Sequence, residues 1–196
     1  MVMPDFKTVN TYQTPMFEFA QAYSIDDLRQ LTRASVQAFV QLLDDATDET
    51  VCFVPDNPDA NDAAAANPAD ARLEWNIVHN VVHATASADE YATVAAELAR
   101  GIESHGRPRS EIPWQRVTTL EQCRQRLQES LRLRLASLDM WPDAPNLKVG
   151  YTPWRESGWV NAKGIFMWGL AHDDSHINQI AKILKQTTSL SSNDKQ

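Results

Sequence analysis

Glycine is scarce in this sequence. Only six of its 196 residues are glycine, whereas glycine usually makes up about 7% of a globular protein. Glycine-rich phosphate loops and all-β folds with many tight turns depend on this residue, because it tolerates backbone conformations that other residues avoid. The scarcity therefore argues against both and favours long helices.

Cysteine is also rare. Cys52 and Cys123 are the two in the chain, which is too few for a disulfide framework, and they are too far apart for a CxxC motif. We expect a reducing, cytoplasmic setting in which both thiols are packing residues.

The chain lacks an excess of basic residues and lacks any long apolar run. Lys and Arg number 18 against 26 Asp and Glu, a net charge of -8. Binding a nucleic-acid backbone needs a concentrated basic face, and spanning a bilayer needs about 18 consecutive apolar residues. The first residues also show no signal-peptide pattern. We therefore expect a cytoplasmic protein with no nucleic-acid and no membrane partner.

Four segments carry apolar residues at the spacing of an amphipathic helix. The first begins at Ser24, which forms a capping-box pattern with Asp27, and ends before Asp44. The others are predicted from about Leu73 to Glu103, from Thr118 (with Glu121 as a capping box) to Pro142, and after Asn161 to about Thr187. The arginines of the third segment are interleaved with Gln and Glu and are predicted to be exposed: Arg124, Arg126, Arg132 and Arg134.

Four amphipathic helices joined by loops predict an all-α fold, a four-helix bundle. We expect one domain over residues 1–196. The connections after the first and third helices, residues 48–72 and 139–160, are long for a bundle. Residues 1–23 are predicted to form an N-terminal arm that packs on the body, and residues 189–196 a flexible polar tail.

Four of the five histidines form two pairs with a spacing of four residues, so each pair lies on one face of a helix. His172 and His176 belong to the apolar row of the fourth predicted helix, with Ile165, Gly169, Ile180 and Ile183. A lone buried histidine is usually a core residue with hydrogen-bonded nitrogens, but two in successive turns of one apolar row are harder to satisfy in that way. The spacing allows both imidazoles to bind one metal ion.

The second pair, His79 and His83, lies on the second predicted helix, and either residue could supply a third ligand. Three imidazoles leave coordination positions open for water or substrate, which is the layout of a catalytic rather than a structural metal site. Imidazole ligation suits Zn, Ni, Fe or Cu. The HExxH motif is absent, so a metalloprotease arrangement is not supported.

Two motifs resemble those of the DinB/YfiT-like superfamily. Residues 75–83 (WNIVHNVVH) carry a Trp, a small polar residue and a His eight positions after the Trp, and residues 171–180 (AHDDSHINQI) carry HxxxH followed by Gln and an aliphatic residue. Helix order and motif separation also match, over about residues 24–188. The resemblance implies a bundle in which three histidines bind a divalent metal; at matching positions these are His83, His172 and His176.

Several residues near these motifs are candidates for supporting roles. His79 falls where the superfamily often has Glu, so it is expected either to support the ligands or to act as an alternative ligand. Glu90, Gln179 and Asp173, which is expected near the outer edge of its helix, are candidates to orient the ligands. Gly169 is expected either to leave room for a pocket beside the metal or to give clearance for helix packing. The sequence identifies no catalytic residue.

The resemblance also implies a small-molecule substrate. Characterised superfamily members include transferases acting on low-molecular-weight thiols (bacillithiol, mycothiol or glutathione) and a thiol-dependent isomerase. One hypothesis is therefore a metal-dependent thiol S-transferase that uses Zn, Ni or Fe and a thiol co-substrate. The alternatives are a non-catalytic or stress-associated bundle protein and a metal-dependent hydrolase, because the same site could activate water. The resemblance is compatible with a homodimer.

Overall fold

The computed structural model describes residues 2–57, 60, 72–106 and 111–193. Most of this part of the chain is helical, so the predicted all-α fold is confirmed. The elements, in chain order, are α1 (Lys7–Asn10), α2 (Met16–Gln21), α3 (Ile25–Leu42), α4 (Asp48–Cys52), α5 (Ile77–Ala99), α6 (Leu120–Asp139), β1 (Gly150–Tyr151), β2 (Val160–Asn161) and α7 (Ala162–Asn193). Among the described residues, none of the helices combines the length and hydrophobicity needed to cross a bilayer.

The four long helices, α3, α5, α6 and α7, form a bundle. Both α3 and α5 pack against α6 and α7, so α3 and α5 lie at opposite corners. Helices α5 and α7 run antiparallel, because Asn80 contacts His176 near one end of their interface and Ala88 approaches Gly169 towards the other. Of the short helices, α2 packs on α7 and α4 packs on α5.

Two predicted helix starts are confirmed by their capping hydrogen bonds. The Ser24 hydroxyl accepts a bond from the backbone N–H of Asp27 at 3.1 Å, and the Asp27 carboxylate accepts one from the backbone N–H of Ser24 at 2.8 Å. At the start of α7, the Asn161 side chain accepts a bond from the backbone N–H of Gly164 at 3.2 Å. These caps satisfy backbone donors that have no partner within the first helical turn.

Helix α5 is shorter at both ends than the predicted range of 73–103. It begins at Ile77 because the Asn76 side chain accepts a hydrogen bond from the backbone of the first turn at 2.8 Å. It ends at Ala99, and soon afterwards Gly101 adopts a φ of +83°, a conformation that favours glycine and terminates helices.

The capping box of α6 lies one residue beyond the predicted pair of Thr118 and Glu121. The Thr119 hydroxyl accepts a hydrogen bond from the backbone N–H of Gln122 at 3.2 Å, and the Gln122 side chain accepts one from the backbone N–H of Thr119 at 3.2 Å. Gln serves in this motif as well as Glu does, so the sequence pattern was compatible with either register.

The connections contain structure that was not predicted. Helix α4 lies within the first long connection, and strands β1 and β2 lie within or next to the second, paired antiparallel with Gly150 opposite Asn161. Helix α7 continues to Asn193, past its predicted end and into the predicted tail. Much of the first long connection, at positions 58, 59 and 61–71, lies outside the described residues.

Two apolar clusters pack the bundle, one towards each end. The first combines α1, α2, the first half of α3, the second half of α5, the end of α6 and the first half of α7, with fully buried residues that include Phe6, Met16, Leu98 and Ile165. The second combines the later part of α3, the first halves of α5 and α6, and the later part of α7, with residues that include Phe39, Val82, Leu127 and Ile180.

A polar layer separates these two clusters along every long helix. In α7, for example, Ala171 belongs to the first cluster and Ile180 to the second. The buried polar side chains between the clusters include Thr32 and Ser35 of α3, Thr85, Ser87 and Glu90 of α5, Ser130, Arg134 and Ser137 of α6, and Asp173 and His176 of α7. Buried polar groups need hydrogen-bond partners, and an ion pair and a hydrogen bond between helices supply them for part of this layer.

Arg134 and Asp173 form a buried ion pair in the polar layer. Arg134 Nη1 lies 2.6 Å from Asp173 Oδ2, and the two side chains are 3% and 1% exposed. The same carboxylate oxygen accepts a hydrogen bond from the Ser35 hydroxyl at 2.7 Å, so the contact joins α3, α6 and α7. The predictions that Arg134 is exposed and that Asp173 lies near an outer edge are therefore wrong, because each charge is buried against the other.

Gly169 lies where α7 comes close to α5. A Cβ atom at this position would be 3.3 Å from the Cβ of Tyr91 and 3.6 Å from the Cα of Ala88. Of the two expectations for Gly169, clearance for helix packing is confirmed, whereas Tyr91 fills the space that a pocket would need.

Replacing Arg134 with Leu should lower the free energy of unfolding by about 3–5 kcal/mol, because the Asp173 carboxylate would stay buried without its partner. Urea denaturation followed by far-UV circular dichroism measures the change. The matched control is Arg132→Leu, an exposed position on the same helix, which should change stability by less than about 0.5 kcal/mol. Equal losses in the two variants would contradict the importance of the ion pair.

Candidate metal centre

Three histidines from α5 and α7 direct their Nε2 atoms towards one another. His172 Nε2 lies 3.2 Å from His83 Nε2 and 3.3 Å from His176 Nε2. One ring nitrogen from each residue lies within 4.8 Å of the others. His172 and His176 are one turn apart on α7, and His83 faces them from α5. The antiparallel pairing of the two helices thus brings the predicted ligand pair together with His83.

Asn80 fixes the protonation of His176. Its amide nitrogen donates hydrogen bonds to the backbone carbonyls of Asn76 at 2.9 Å and Trp75 at 3.4 Å, so its amide oxygen faces His176 Nδ1 at 2.8 Å. An oxygen acceptor requires Nδ1 of His176 to carry the proton. The Nε2 atom of His176 therefore presents a lone pair to the cluster.

Glu111 has the same effect on His83. Its Oε2 atom lies 3.0 Å from His83 Nδ1, and the two side chains are 29% and 18% exposed. An ionised carboxylate only accepts hydrogen bonds, so Nδ1 of His83 is the donor, and in the neutral imidazole Nε2 then carries the lone pair. A carboxylate on the far nitrogen of a histidine is a common way to orient a metal ligand and to raise its basicity.

The spacing of the three nitrogens suits one metal ion. Two imidazole nitrogens bound 2.0–2.1 Å from a tetrahedral ion are roughly 3.3 Å apart, and the two shortest separations here are 3.2 and 3.3 Å. Burial, and next the neighbouring His83, lower the pKa of His176 to about 3, so its imidazole is neutral at pH 7. The group of three histidines is therefore positioned to bind a divalent metal.

Three aromatic rings stack beside the histidine cluster. Trp75 lies between His79 and His176, with ring centroids 4.0 and 5.8 Å away and interplanar angles of 19° and 5°. Trp114 covers the other face of His79 at 5.0 Å. The ring of Trp75 also meets His83 edge-on at 4.8 Å. The structure thus places His79 between two indoles and outside the group of three histidines.

A comparison with protein families agrees with the fold and the cluster. Residues 13–180 match the family model described as the DinB superfamily. The chain belongs to this superfamily. The resemblance found in the motifs at residues 75–83 and 171–180 is therefore confirmed, and the matched range contains all three clustered histidines. No curated protein and no solved structure matches the chain.

The supporting residues predicted for this DinB protein lie in different places. Gln179 lies beside His176, and its side chain acts against the lowering of the pKa of that imidazole by burial. Glu90 is buried on α5, two turns beyond His83, with 4% of its surface exposed. Asp173 contacts α3 and α6 through its ion pair and hydrogen bond.

Sequence reasoning missed Asn80 and Glu111, although both contact clustered histidines in this DinB protein. Asn80 had a local signal, because it precedes His83 by three residues and so shares its helix face. Glu111 lies in the loop before α6 and has no local sequence signal, because its approach to His83 depends on the path of that loop.

Neither cysteine of this DinB protein is activated. Burial raises the pKa of the Cys123 thiol to about 12, and partial burial also raises the pKa of Cys52. Thiolates are the nucleophilic form of cysteine, so both thiols are unreactive at neutral pH. The expected packing role is confirmed for Cys123, which is buried, whereas Cys52 is exposed.

Replacing Asn80 with Ala should weaken metal binding about 10–100-fold, because the acceptor that fixes the Nδ1 proton of His176 would be lost. Competition with a chromophoric chelator measures the affinity. The matched control is Asn178→Ala, an exposed amide on α7 that hydrogen-bonds Asp174 and should leave the affinity unchanged. An Asn80→Ala variant with native helicity and native affinity would exclude this role.

Proposed function

We propose that this DinB superfamily member is a metal-dependent enzyme in which His83, His172 and His176 bind a divalent ion. The observation that carries the proposal is the convergence of three Nε2 atoms whose far nitrogens, in two cases, are held by Asn80 and Glu111. Zn, Ni and Fe all accept imidazole ligands, so the donor set fits the group without selecting one metal.

The number of protein ligands supports a catalytic site. Structural zinc sites are closed by four protein ligands, whereas catalytic sites have three and keep a position for water or substrate. The group found among the described residues has three members. Trp75 covers one side of it through its contacts with His83 and His176.

The chain's own residues have clear tasks in such a site. Asn80 and Glu111 keep protons on Nδ1 of His176 and His83, so the Nε2 atoms stay available as ligands. Trp75 stacks on His79 and also contacts the rings of His83 and His176. When bound, a divalent ion would supply the Lewis acidity that makes a thiol or a water nucleophilic near neutral pH.

We propose further that the reaction is the transfer of a low-molecular-weight thiol to an electrophile. The sulfur would form a bond to an electrophilic carbon, the leaving group would depart with its electron pair, and the thiol proton would pass to solvent. The two cysteines of the chain support an external thiol, because Cys123 is buried with a pKa of about 12 and the pKa of Cys52 is also raised. The superfamily's thiol transferases supply the precedent.

Replacing His176 with Ala should abolish stoichiometric metal binding while leaving helicity largely intact, because one of three ligands is lost. Elemental analysis of protein prepared without a histidine tag, combined with circular dichroism, measures both effects. The matched control is His105→Ala, whose side chain is 68% exposed in a loop and which should keep the metal. Native metal content in His176→Ala would refute the ligand assignment.

Conjugation of a thiol to an electrophile should require both the metal and the thiol, because the ion activates the sulfur. Chromatography of the conjugate, with metal-loaded and chelator-treated protein and a panel of thiols, measures the reaction. Product release that needs metal but no thiol would indicate a hydrolase instead. Absence of turnover with every thiol and electrophile would favour the non-catalytic alternative.

A further inference from the structure

A polar groove lies next to the metal centre on the outer side of α7. Its volume is about 630 Å³, within the usual range for small-molecule sites. One wall is the N-terminal segment with Asp5 and Lys7, another is the segment 55–57, and the floor is the face of α7 that carries Asp174 and Lys182. The groove is thus formed by three parts of the chain that are distant in sequence.

The wall opposite the N-terminal segment is fixed to α7 by two hydrogen bonds. The Gln186 side-chain oxygen accepts a bond from the backbone N–H of Asp56 at 3.0 Å, and the Gln186 amide nitrogen donates one to the backbone carbonyl of Asp56 at 3.2 Å. This reciprocal pair satisfies both backbone groups of Asp56. Asp56 itself lines the groove.

Two residues connect the groove to the metal centre. Trp75 lines the groove, and its ring also stacks on His176 and meets His83 edge-on. Gln179 lines the groove too, and it follows His176 by three residues, which places the two on neighbouring positions of one face of α7. A molecule in the groove would therefore lie one side chain away from a proposed metal ligand.

The groove carries charges of both signs. Two ammonium groups (Lys7 and Lys182) and three carboxylates (Asp5, Asp56 and Asp174) line it. Within the described part of the chain, none of the five forms an ion pair. The remaining lining is rich in amides, which both donate and accept hydrogen bonds: Asn10, Asn57, Asn178, Gln179 and Gln186.

This composition selects a class of ligand. A neutral sugar would gain nothing from the five charges, and an anion such as phosphate would meet three carboxylates. A molecule with both an ammonium and a carboxylate group complements both signs, and its amide bonds can pair with the amide side chains. An amino acid or short peptide has this chemistry.

We propose that the groove binds the zwitterionic part of an amino-acid-like co-substrate, next to the metal centre. The inference rests on the proposed function for the identity of that molecule, a peptide-type thiol, but the recognition of charge is a property of the groove alone. Lys7 and Lys182 bind the carboxylate groups, and the three aspartates bind the ammonium group.

A non-reactive probe tests the groove separately from catalysis. S-methylglutathione carries the charges of a peptide thiol and has no free thiol to bind a metal. Isothermal titration of the metal-loaded protein should show binding that weakens with added salt, because exposed charges are screened. N-acetyl-S-methylcysteine methyl ester, which has no charge, should bind at least tenfold more weakly.

Variants identify where the probe binds. The double variant Lys7→Ala, Lys182→Ala should weaken binding of S-methylglutathione about tenfold, because each exposed charge pair contributes a factor of up to roughly five. The matched control is Lys148→Ala, Lys185→Ala, which removes two exposed lysines outside the groove and should not change the affinity. Asp56→Asn should also weaken binding, whereas the exposed Asp44→Asn should not.

The outcomes separate this inference from the proposed function. Equal affinity of the two probes, or equal effects of the two double variants, would overturn the groove assignment even if metal-dependent thiol transfer were found. Charge-dependent binding that maps to Lys7 and Lys182 would support the groove even if no thiol transfer were found, and the proposed function would then fail alone.

Discussion

The convergence of three imidazole nitrogens between α5 and α7 is the constraint on which the rest of the structure depends. Two of these nitrogens must present lone pairs, because Asn80 and Glu111 hold the protons on the opposite side of the rings. The third, Nε2 of His172, lies 3.2 and 3.3 Å from these two, so a cation between the three rings would be within reach of all three nitrogens. The arrangement therefore makes sense as a cation site, and the helices, caps and loop that position these five residues serve that geometry.

The bundle accommodates this polar centre by dividing its apolar core. One cluster holds α5 and α7 together at the end that carries Gly169 and Tyr91, and the other holds them at the end that carries Val82 and Ile180. Because both ends are tightly packed, the helix separation in between has little freedom. The distance between His83 and His172 is consequently set by apolar packing some way from the nitrogens themselves.

The sequence was most informative where function depends on residues close together in one helix. The spacing of His172 and His176 in an apolar row, with the motif that ends at His83, was sufficient to predict the cluster. Glu111 could not be found in this way, because it is 28 residues from His83 and its position depends on a loop. Arg134 and Asp173 were assigned to exposed faces because charged residues are usually solvated. Their burial depends on a pairing between helices that neither local pattern contains.

The ion pair of Arg134 and Asp173 also limits how α7 can sit in the bundle. His172 and Asp173 are neighbours, so their side chains leave the helix axis about 100° apart. A rotation of α7 about its own axis that moved the His172 imidazole away from α5 would also move the Asp173 carboxylate away from α6 and α3. The buried charges of Asp173 and Arg134 would then have no partner. The ion pair therefore fixes the rotation of α7 about its own axis. In that orientation Asp173 is paired and the imidazoles of His172 and His176 face His83.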